Sequence, residues 1–305
     1  MTVFDAIGFG GLNVDKLFKV NKIAKAEEES YIIDCEEACG GSAANTIVGL
    51  ARLGCKVGFI GKVADDREGK MLVKDFCIEG VDTMGIMHSK HDRSGAVMGF
   101  VNEKGDRALY VDPGVNDTIE FNEINMRYAF QTRFLHLTSF VGEKSFQTQK
   151  RLIQALPQAV KLSLDPGELY ARKGSILEPI IEKTFVLMPN LNELELLTKT
   201  ADYRKGAEVL LKKGVEIVAV KLGSKGCYVT DGRENHSVEP FKVKVVDTTG
   251  AGDAFCAGFL YGLISGKSLF ECGRLGNFVA SRCIMKMSAR RGLPTIKDLI
   301  KNKLA

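Results

Sequence analysis

The sequence predicts an α/β protein built on a mostly parallel sheet covered on both faces, with a small β-sheet lid above it. Three observations carry this. Strand-patterned and helix-patterned segments alternate along most of the chain, and several strands are continuous apolar runs, such as Ile217-Val218-Ala219-Val220, as expected where both faces are buried. The length of 305 residues suits two domains, or one large domain with an appendage, at about 100–200 residues per domain.

Residues 43–53 carry apolar side chains at 43, 47, 50 and 51, between Ser42 as a cap and Gly54 as a terminator, which marks an amphipathic helix. A strand follows at 57–63, then a helix at 67–77, a strand at 134–138, a helix at 144–156, strands at 160–165 and 185–188, a helix at 204–213 and a strand at 217–222. Beyond Val245 the pattern turns helical, at 251–264, 268–287 and 295–303. Two pieces break the rhythm. Strand-like stretches at 17–20 and 31–34, and two more at 94–101 and 107–111 flanking the turn signal Glu103-Lys104-Gly105, predict a small antiparallel sheet drawn from separated segments. The expected division is a body of residues 1–11, 38–90 and 113–305 and a discontinuous lid of residues 12–37 and 91–112.

Composition removes several classes of function. Hydrophobic residues make up 45% and charged residues 26%, which disfavours disorder, collagen-like repetition and coiled coil. The net charge of +4 arises from 42 basic and 38 acidic residues without a long single-sign run, so nucleic acid is not an expected partner. Eight cysteines form no CxxC pair and mostly have apolar neighbours, as buried thiols in a reducing compartment would. No window reaches the roughly 18 apolar residues of a membrane span, and the first residues lack a basic and apolar leader pattern. The expectation is a cytoplasmic protein without a membrane partner.

Two glycine loops fail as nucleotide motifs. Gly8-Phe9-Gly10-Gly11-Leu12-Asn13 has Asn13 where a dinucleotide fingerprint needs glycine, and it leads into a strand. Gly262 to Ser268 is one residue short of a phosphate loop and follows a helix; Gly266 there ends one helix and Ser268 caps the next. Asp247-Thr248-Thr249-Gly250-Ala251-Gly252-Asp253 is different, because small residues crowd a loop that opens directly into a helix. The unpaired N–H groups and the positive end of such a helix form an anion hole, and Asp253 in its first turn is placed to take a proton from an attacking hydroxyl. Asp253 could also serve simply to complement the helix dipole. Cys39-Gly40-Gly41-Ser42-Ala43-Ala44-Asn45 repeats the logic, with open backbone before a helix and an Asn45 amide able to bond a hydroxyl.

With these two loops the chain resembles the PfkB, or ribokinase-like, family of carbohydrate and nucleoside kinases over nearly its whole length. Residues 247–253 match the family's DTxGAGD signature and residues 40–45 its GGxxxN signature; further matches are Asn13 and Asp15 as NxD, 61–69 as a GxxxxDxxG-like segment, Asn190 to Glu193 as NxxE, and 222–226 as LGxxG. The resemblance implies a three-layer ribokinase-like fold with a lid, and ATP-dependent phosphorylation of a hydroxyl on a small sugar or polyol. It implies Asp253 as catalytic base, with the N–H groups of Gly250, Ala251 and Gly252 stabilising the transferred phosphoryl group. Asn13, Asp15, Gly40, Gly41 and Asn45 would hold the acceptor, and Asn190, Lys221, Gly223, Gly226 and Asn277 would lie along the nucleotide. Asn190 and Glu193 would act on Mg²⁺ through water, while Asp247 and Thr249 would help place a monovalent cation such as K⁺. A homodimer through the lid is also implied.

The chain departs from the family pattern at Ala64, at Lys221 where Thr is frequent, and at Ser288-Ala289-Arg290-Arg291-Gly292, which replaces the usual Gly-Ala. A nucleoside kinase, with Phe100 or another lid residue stacking a base, is the neighbouring alternative. A catalytically silent ligand-binding member is the third, against which the intact Asp253 and both glycine motifs stand. Elsewhere, His136 reads as a satisfied buried imidazole, His88 and His91 as polar surface, and Met285 and Met287 as core packing. Glu143 either touches the acceptor or starts a helix.

Overall fold

The computed structural model describes residues 4–104 and 106–304. Met1 to Val3, Ala305 and Gly105 of the expected hairpin turn lie outside them. Strand β1 (Phe4–Phe9) is almost wholly buried, and the chain then leaves it for β2 (Asn13–Val20) and β3 (Ile32–Gly40). It returns through α1 (Ser42–Arg52), β4 (Val57–Ala64), α2 (Arg67–Ile78) and β5 (Asp82–Ser89), leaves again for β6 (Gly95–Val101) and β7 (Arg107–Asp112), and re-enters at α3 (Met126–Ala129). Next come β8 (Thr132–Leu137), α4 (Glu143–Ala155), β9 (Lys161–Leu164), α5 (Gly167–Ala171), α6 (Glu178–Ile181) and β10 (Thr184–Leu187). The last stretch holds α7 (Leu191–Thr198), α8 (Tyr203–Lys212), β11 (Ile217–Lys221), β12 (Cys227–Thr230) and β13 (Asn235–Val238), then α9 (Ala251–Ile264), α10 (Leu269–Cys283) and α11 (Ile296–Lys301).

Among the described residues the large sheet has nine strands in the order β13-β12-β11-β10-β9-β8-β1-β4-β5, parallel except at the β11–β12 and β12–β13 pairs. Its two faces carry separate apolar layers. Ile47 and Leu50 of α1, Phe76 of α2, Phe259 of α9, Phe278 of α10 and Leu299 of α11 fill one; Phe146 of α4, Tyr170 of α5, Leu194 of α7 and Leu210 of α8 fill the other. Burial on both sides is why β4 is buried at every position and β11 reads as an unbroken apolar run.

A second sheet of four strands has the order β3-β2-β6-β7. Its outer pairs are antiparallel and its central pair, β2 with β6, is parallel. Phe18 stacks on Phe100 with ring centroids 5.1 Å apart, and Tyr110 meets Phe100 edge-on at 5.9 Å, so one face has its own aromatic cluster.

Several expectations need correction. The helix expected at 268–287 stops at Cys283, because the Ile284 carbonyl accepts the N–H groups of Val246 and Asp247 at 2.8 and 3.2 Å and the chain turns through Ser288 at φ 74°. Met285 and Met287 consequently lie exposed on that turn instead of in the core. Strands β2 and β3 extend well beyond the short stretches at 17–20 and 31–34, reaching Asn13 and Gly40. Strand β5 and the β12–β13 hairpin were not expected as strands.

Candidate active site

Helix α9 opens from a tightly specified turn. Gly250 holds φ 75° at its N-cap, and a side chain there would collide with Ala289. Asp247 braces the loop: its Oδ1 accepts the Thr249 N–H at 2.9 Å and the Thr249 hydroxyl at 2.7 Å, and its Oδ2 accepts the Ser288 N–H at 2.9 Å. The Ala251 N–H turns back onto the Thr248 carbonyl at 3.2 Å, so it is already engaged within the loop.

Asp253, half-buried in the first turn of α9, accepts the Asn45 amide Nδ2–H on Oδ2 at 2.8 Å, and its carbonyl accepts the Thr46 hydroxyl at 3.2 Å. The two glycine motifs, far apart in sequence, thus meet side chain to side chain. Burial pushes the Asp253 carboxyl up to about 7, a rise reinforced by Asp165 and opposed by the Asn45 hydrogen bond, Lys221 and Arg290.

The acceptor-side residues gather where the small sheet joins the large one. Asn13 and Gly40 are opposite each other in the β2–β3 ladder, and Asp15 is opposite Ala38. The Asp15 carboxylate lies against Gly40, where any side chain would collide with it; Gly41 takes φ 105°, and a side chain there would collide with the Gly11 carbonyl. Burial raises the Asp15 carboxyl to about 6, with Arg290 pulling the other way. Asn116, which sequence reading missed, donates from Nδ2 to Asn13 Oδ1 and to the Leu12 carbonyl, each at 2.9 Å, and accepts the Leu12 N–H at 2.9 Å. It sits in a turn outside every motif, so no local signal marks it. Phe100 pairs with Phe18, an odd number of residues from Asp15 along β2, and side chains alternate faces along a strand. Phe100 therefore points away from the Asp15 face and is no platform for a base there.

The remaining candidates lie along the ends of β9, β10 and β11. Asn190 and Glu193 close a capping box on α7: the Glu193 carboxylate accepts the Asn190 N–H at 2.8 Å and Nδ2–H at 2.7 Å, while Asn190 Oδ1 accepts the Glu193 N–H at 2.9 Å. Burial raises the Glu193 carboxyl. Lys221 is bonded to both oxygens of Asp165 at 2.8 Å, and its ammonium is 3.4 Å from where a side chain on Gly252 would begin. Burial works against that charge, but Asp165, Cys256 and Glu193 outweigh it and raise the Lys221 pKa. Cys256 Sγ donates to Asp165 Oδ2 at 3.4 Å. Asp165 is the second residue missed by sequence reading. Gly223 and Gly226 hold φ 60° and 85° in the turn after β11, and Asn277 ties α10 to the carbonyls of Val238 and Glu239 at 3.0 Å each.

Other residues stay apart. Glu143 begins α4 and pairs on the surface with Lys173 at 2.9 Å. His136 is fully buried with Nδ1 on the Ser163 hydroxyl at 3.0 Å, but Nε2 has no partner among the described residues, so the ring is only half satisfied there; burial lowers its pKa to about 4 and keeps it neutral. No described helix is long and apolar enough to cross a membrane.

A helix N-terminus with an adjoining carboxylate, at the end of a doubly covered sheet and beside a second small sheet, is an α/β arrangement suited to holding an anion. The profile of the pfkB family of carbohydrate kinases matches residues 7–296. An uncharacterized sugar kinase of Archaeoglobus fulgidus is 49% identical over 255 residues, covering 82% of this chain and 100% of its own. The ribokinase of Thermotoga maritima superposes with a TM-score of 0.88 at 26% identity, covering 98% of this chain and 100% of that one. A Methanocaldococcus jannaschii nucleoside kinase shares the fold, with a TM-score of 0.86 at 23% identity over 99% of this chain and 98% of its own. The chain belongs to the pfkB carbohydrate kinase family and has its ribokinase-like fold.

Proposed function

We propose that the protein transfers the γ-phosphoryl group of ATP to a hydroxyl of a small sugar or polyol, with Asp253 as general base. The observation that carries this is the placement of the Asp253 carboxyl, half-buried at the N-terminus of α9 and hydrogen-bonded by Asn45; burial there pushes it up to about 7. A base performs best when its pKa lies near the working pH. Phosphoryl transfer otherwise needs positioning and charge stabilisation, which the loop N–H groups at Gly250 and Gly252 and the Lys221 ammonium beside Gly252 supply. Because Ala251 N–H already bonds Thr248, it contributes less than its neighbours.

On the acceptor side the reading assigns Asn13, Asp15, Gly40, Gly41 and Asn45 to the hydroxyls; on the nucleotide side it assigns Asn190, Lys221, Gly223, Gly226 and Asn277. Among the described residues no group of three or more His, Cys, Asp or Glu could cage a metal. Asn190 and Glu193 also close on each other, which fits a Mg²⁺ ion carried on the phosphates and reached through water. Such an ion supplies charge neutralisation at the phosphates. A K⁺ ion at Asp247 and Thr249 would share a carboxylate that already accepts three hydrogen bonds, and the proposed step is written without it. A nucleoside acceptor loses Phe100 as its stacking residue.

The test is a nucleotide-consumption screen over pentoses, hexoses, inositols and nucleosides, run with wild type and Asp253→Asn. On the accepted substrate Asp253→Asn is expected to lower kcat by about 10²–10⁴ or more while ATP affinity is kept. In the wild type, kcat should climb as pH rises through about 7, where Asp253 ionises, and then level off. Turnover of Asp253→Asn within a few-fold of wild type would sink the assignment.

A further inference from the structure

Arg290 sits in the segment 288–292 that departs from the family pattern, and it is buried. Its guanidinium reaches three elements. Nε donates to Asn45 Oδ1 at 2.7 Å, Nη2 donates to the Gly40 carbonyl at 3.3 Å, and Nη1 pairs with Asp75 of α2. The backbone beneath is fixed as well, since Arg52 Nη1 donates to the Arg290 carbonyl at 2.6 Å.

An asparagine amide can present either its oxygen or its NH₂ group to a neighbour, and the hydrogen-bond network decides which. A guanidinium only donates. With Oδ1 committed to Arg290, Asn45 must turn Nδ2 toward Asp253, where it donates at 2.8 Å. The flipped amide would set its oxygen against a carboxylate and its NH₂ against a cation, so both contacts would become repulsive at once.

We propose that Arg290 is a positioning residue that sets the orientation of the Asn45 amide and, through it, the placement of the Asp253 carboxylate, while its bond to Gly40 locks the acceptor strand to the same network. This rests on the reading of Asp253 as base. Lys could not substitute, because one ammonium on a flexible stem cannot address three acceptors in a plane. The charges facing Asp253 are those of Asp165 and Lys221 at the strand ends and Arg290 in the turn, with the Cys256 and Cys283 thiols close by; Asp15 and Asp75 also feel Arg290.

The experiment is a cycle of Arg290→Lys, Asn45→Ala and the double variant, with kinetics from about pH 5 to pH 9 on the substrate found by the screen. Arg290→Lys is expected to lower kcat about tenfold or more, to move the acid limb to higher pH because Asp253 loses its oriented donor, and to leave the KM for ATP within about twofold. In the Asn45→Ala background the same change should add almost nothing to the loss of kcat or to the acid limb, while the lost bond to Gly40 reads out in the acceptor KM. Multiplying losses in the double variant, or a wild-type kcat and acid limb in Arg290→Lys, overturn the proposal. If thermal melting shows Arg290→Lys unfolded, Asp75→Ala removes the acceptor of Nη1 and so frees it. It should cut kcat several-fold, again only when Asn45 is present, and an unchanged kcat overturns the proposal. Asp253→Asn run alongside separates the two readings: a dead Asp253→Asn with a normal Arg290→Lys removes this inference alone, whereas an active Asp253→Asn removes the base itself.

Discussion

Asp15 and Asp253 are two carboxyls held well above their usual range by the same cause, burial, and both are opposed by the charge of Arg290. Each is penalised as an anion by burial, so the folded state favours their protonated forms, and that stabilising preference is lost as pH rises through about 6 and about 7 respectively. Asp253→Asn should therefore melt above the wild type at pH 8, a gain absent below pH 4, which would also show that its inactivity is not unfolding. Asp15→Ala tests the other carboxyl. If it holds two acceptor hydroxyls, kcat/KM for the acceptor should fall on the order of 10²–10⁴, with the KM for ATP little changed. An unchanged acceptor KM in steady-state kinetics would reduce Asp15 to a buried acid with no ligand. Single residues were also where sequence reading stopped. Asn45 and Asp253 were legible because glycines beside them advertise open backbone, although 208 positions separate them. Asn116, Asp165 and the role of Arg290 were not, since each acts through one side chain reaching another element, and no local pattern records such a contact.

Elements were legible in proportion to their periodicity. Helices α1, α2, α8 and α9 bury one face or all faces, and the continuous apolar strands at the centre of the large sheet leave the same imprint. Strand β5 mixes Asp82, Gly85 and His88 into its run, and β13 has only four residues, so both fell below what alternation can signal. The end of α10 leaves no local pattern because the carbonyl that follows it, that of Ile284, is satisfied from a distant segment, the N–H groups of Val246 and Asp247. At this scale the glycines at the two ends of α9 offer a controlled comparison. Gly250 and Gly266 both take left-handed φ, 75° and 70°, but a side chain at 250 meets Ala289 while one at 266 meets open space. Gly266→Ala should thus cost about 1 kcal/mol and leave the KM for ATP alone. Gly250→Ala should cost more in thermal melting and raise that KM severalfold, by moving the N–H groups of the loop. Equal behaviour of the pair would remove the special status of the turn.

For the whole molecule, the outer strands of the small sheet leave apolar side chains in solvent: Ile32 and Ile33 of β3 with Tyr31 beside them, and Leu109, Tyr110 and Val111 of β7. Unpaired edges of this kind invite a further strand or a second sheet. A second copy of the chain is the proposed cover, so light scattering should give twice the 33.4 kDa chain mass and Ile33→Glu should halve it. A monomeric wild type would refute this arrangement.

The first two crossings between the sheets have a mechanical meaning. The chain leaves β1 through Gly10 and Gly11 and re-enters α1 through Gly40 and Gly41, and these are the joints on which Asn13, Asp15 and Gly40 are mounted, whereas Asp253 is mounted on α9 of the large body. On the proposed reading, an acceptor that bridges Asp15 and Asp253 would be a crosslink between two levers, and its own hydroxyl spacing would set the angle at which they come to rest. Sugars of the wrong stereochemistry would be rejected less by weak affinity than by stopping the levers short of the near-attack distance, so poor substrates should show depressed kcat with nearly normal binding, and ATP hydrolysis should stay slow in their presence.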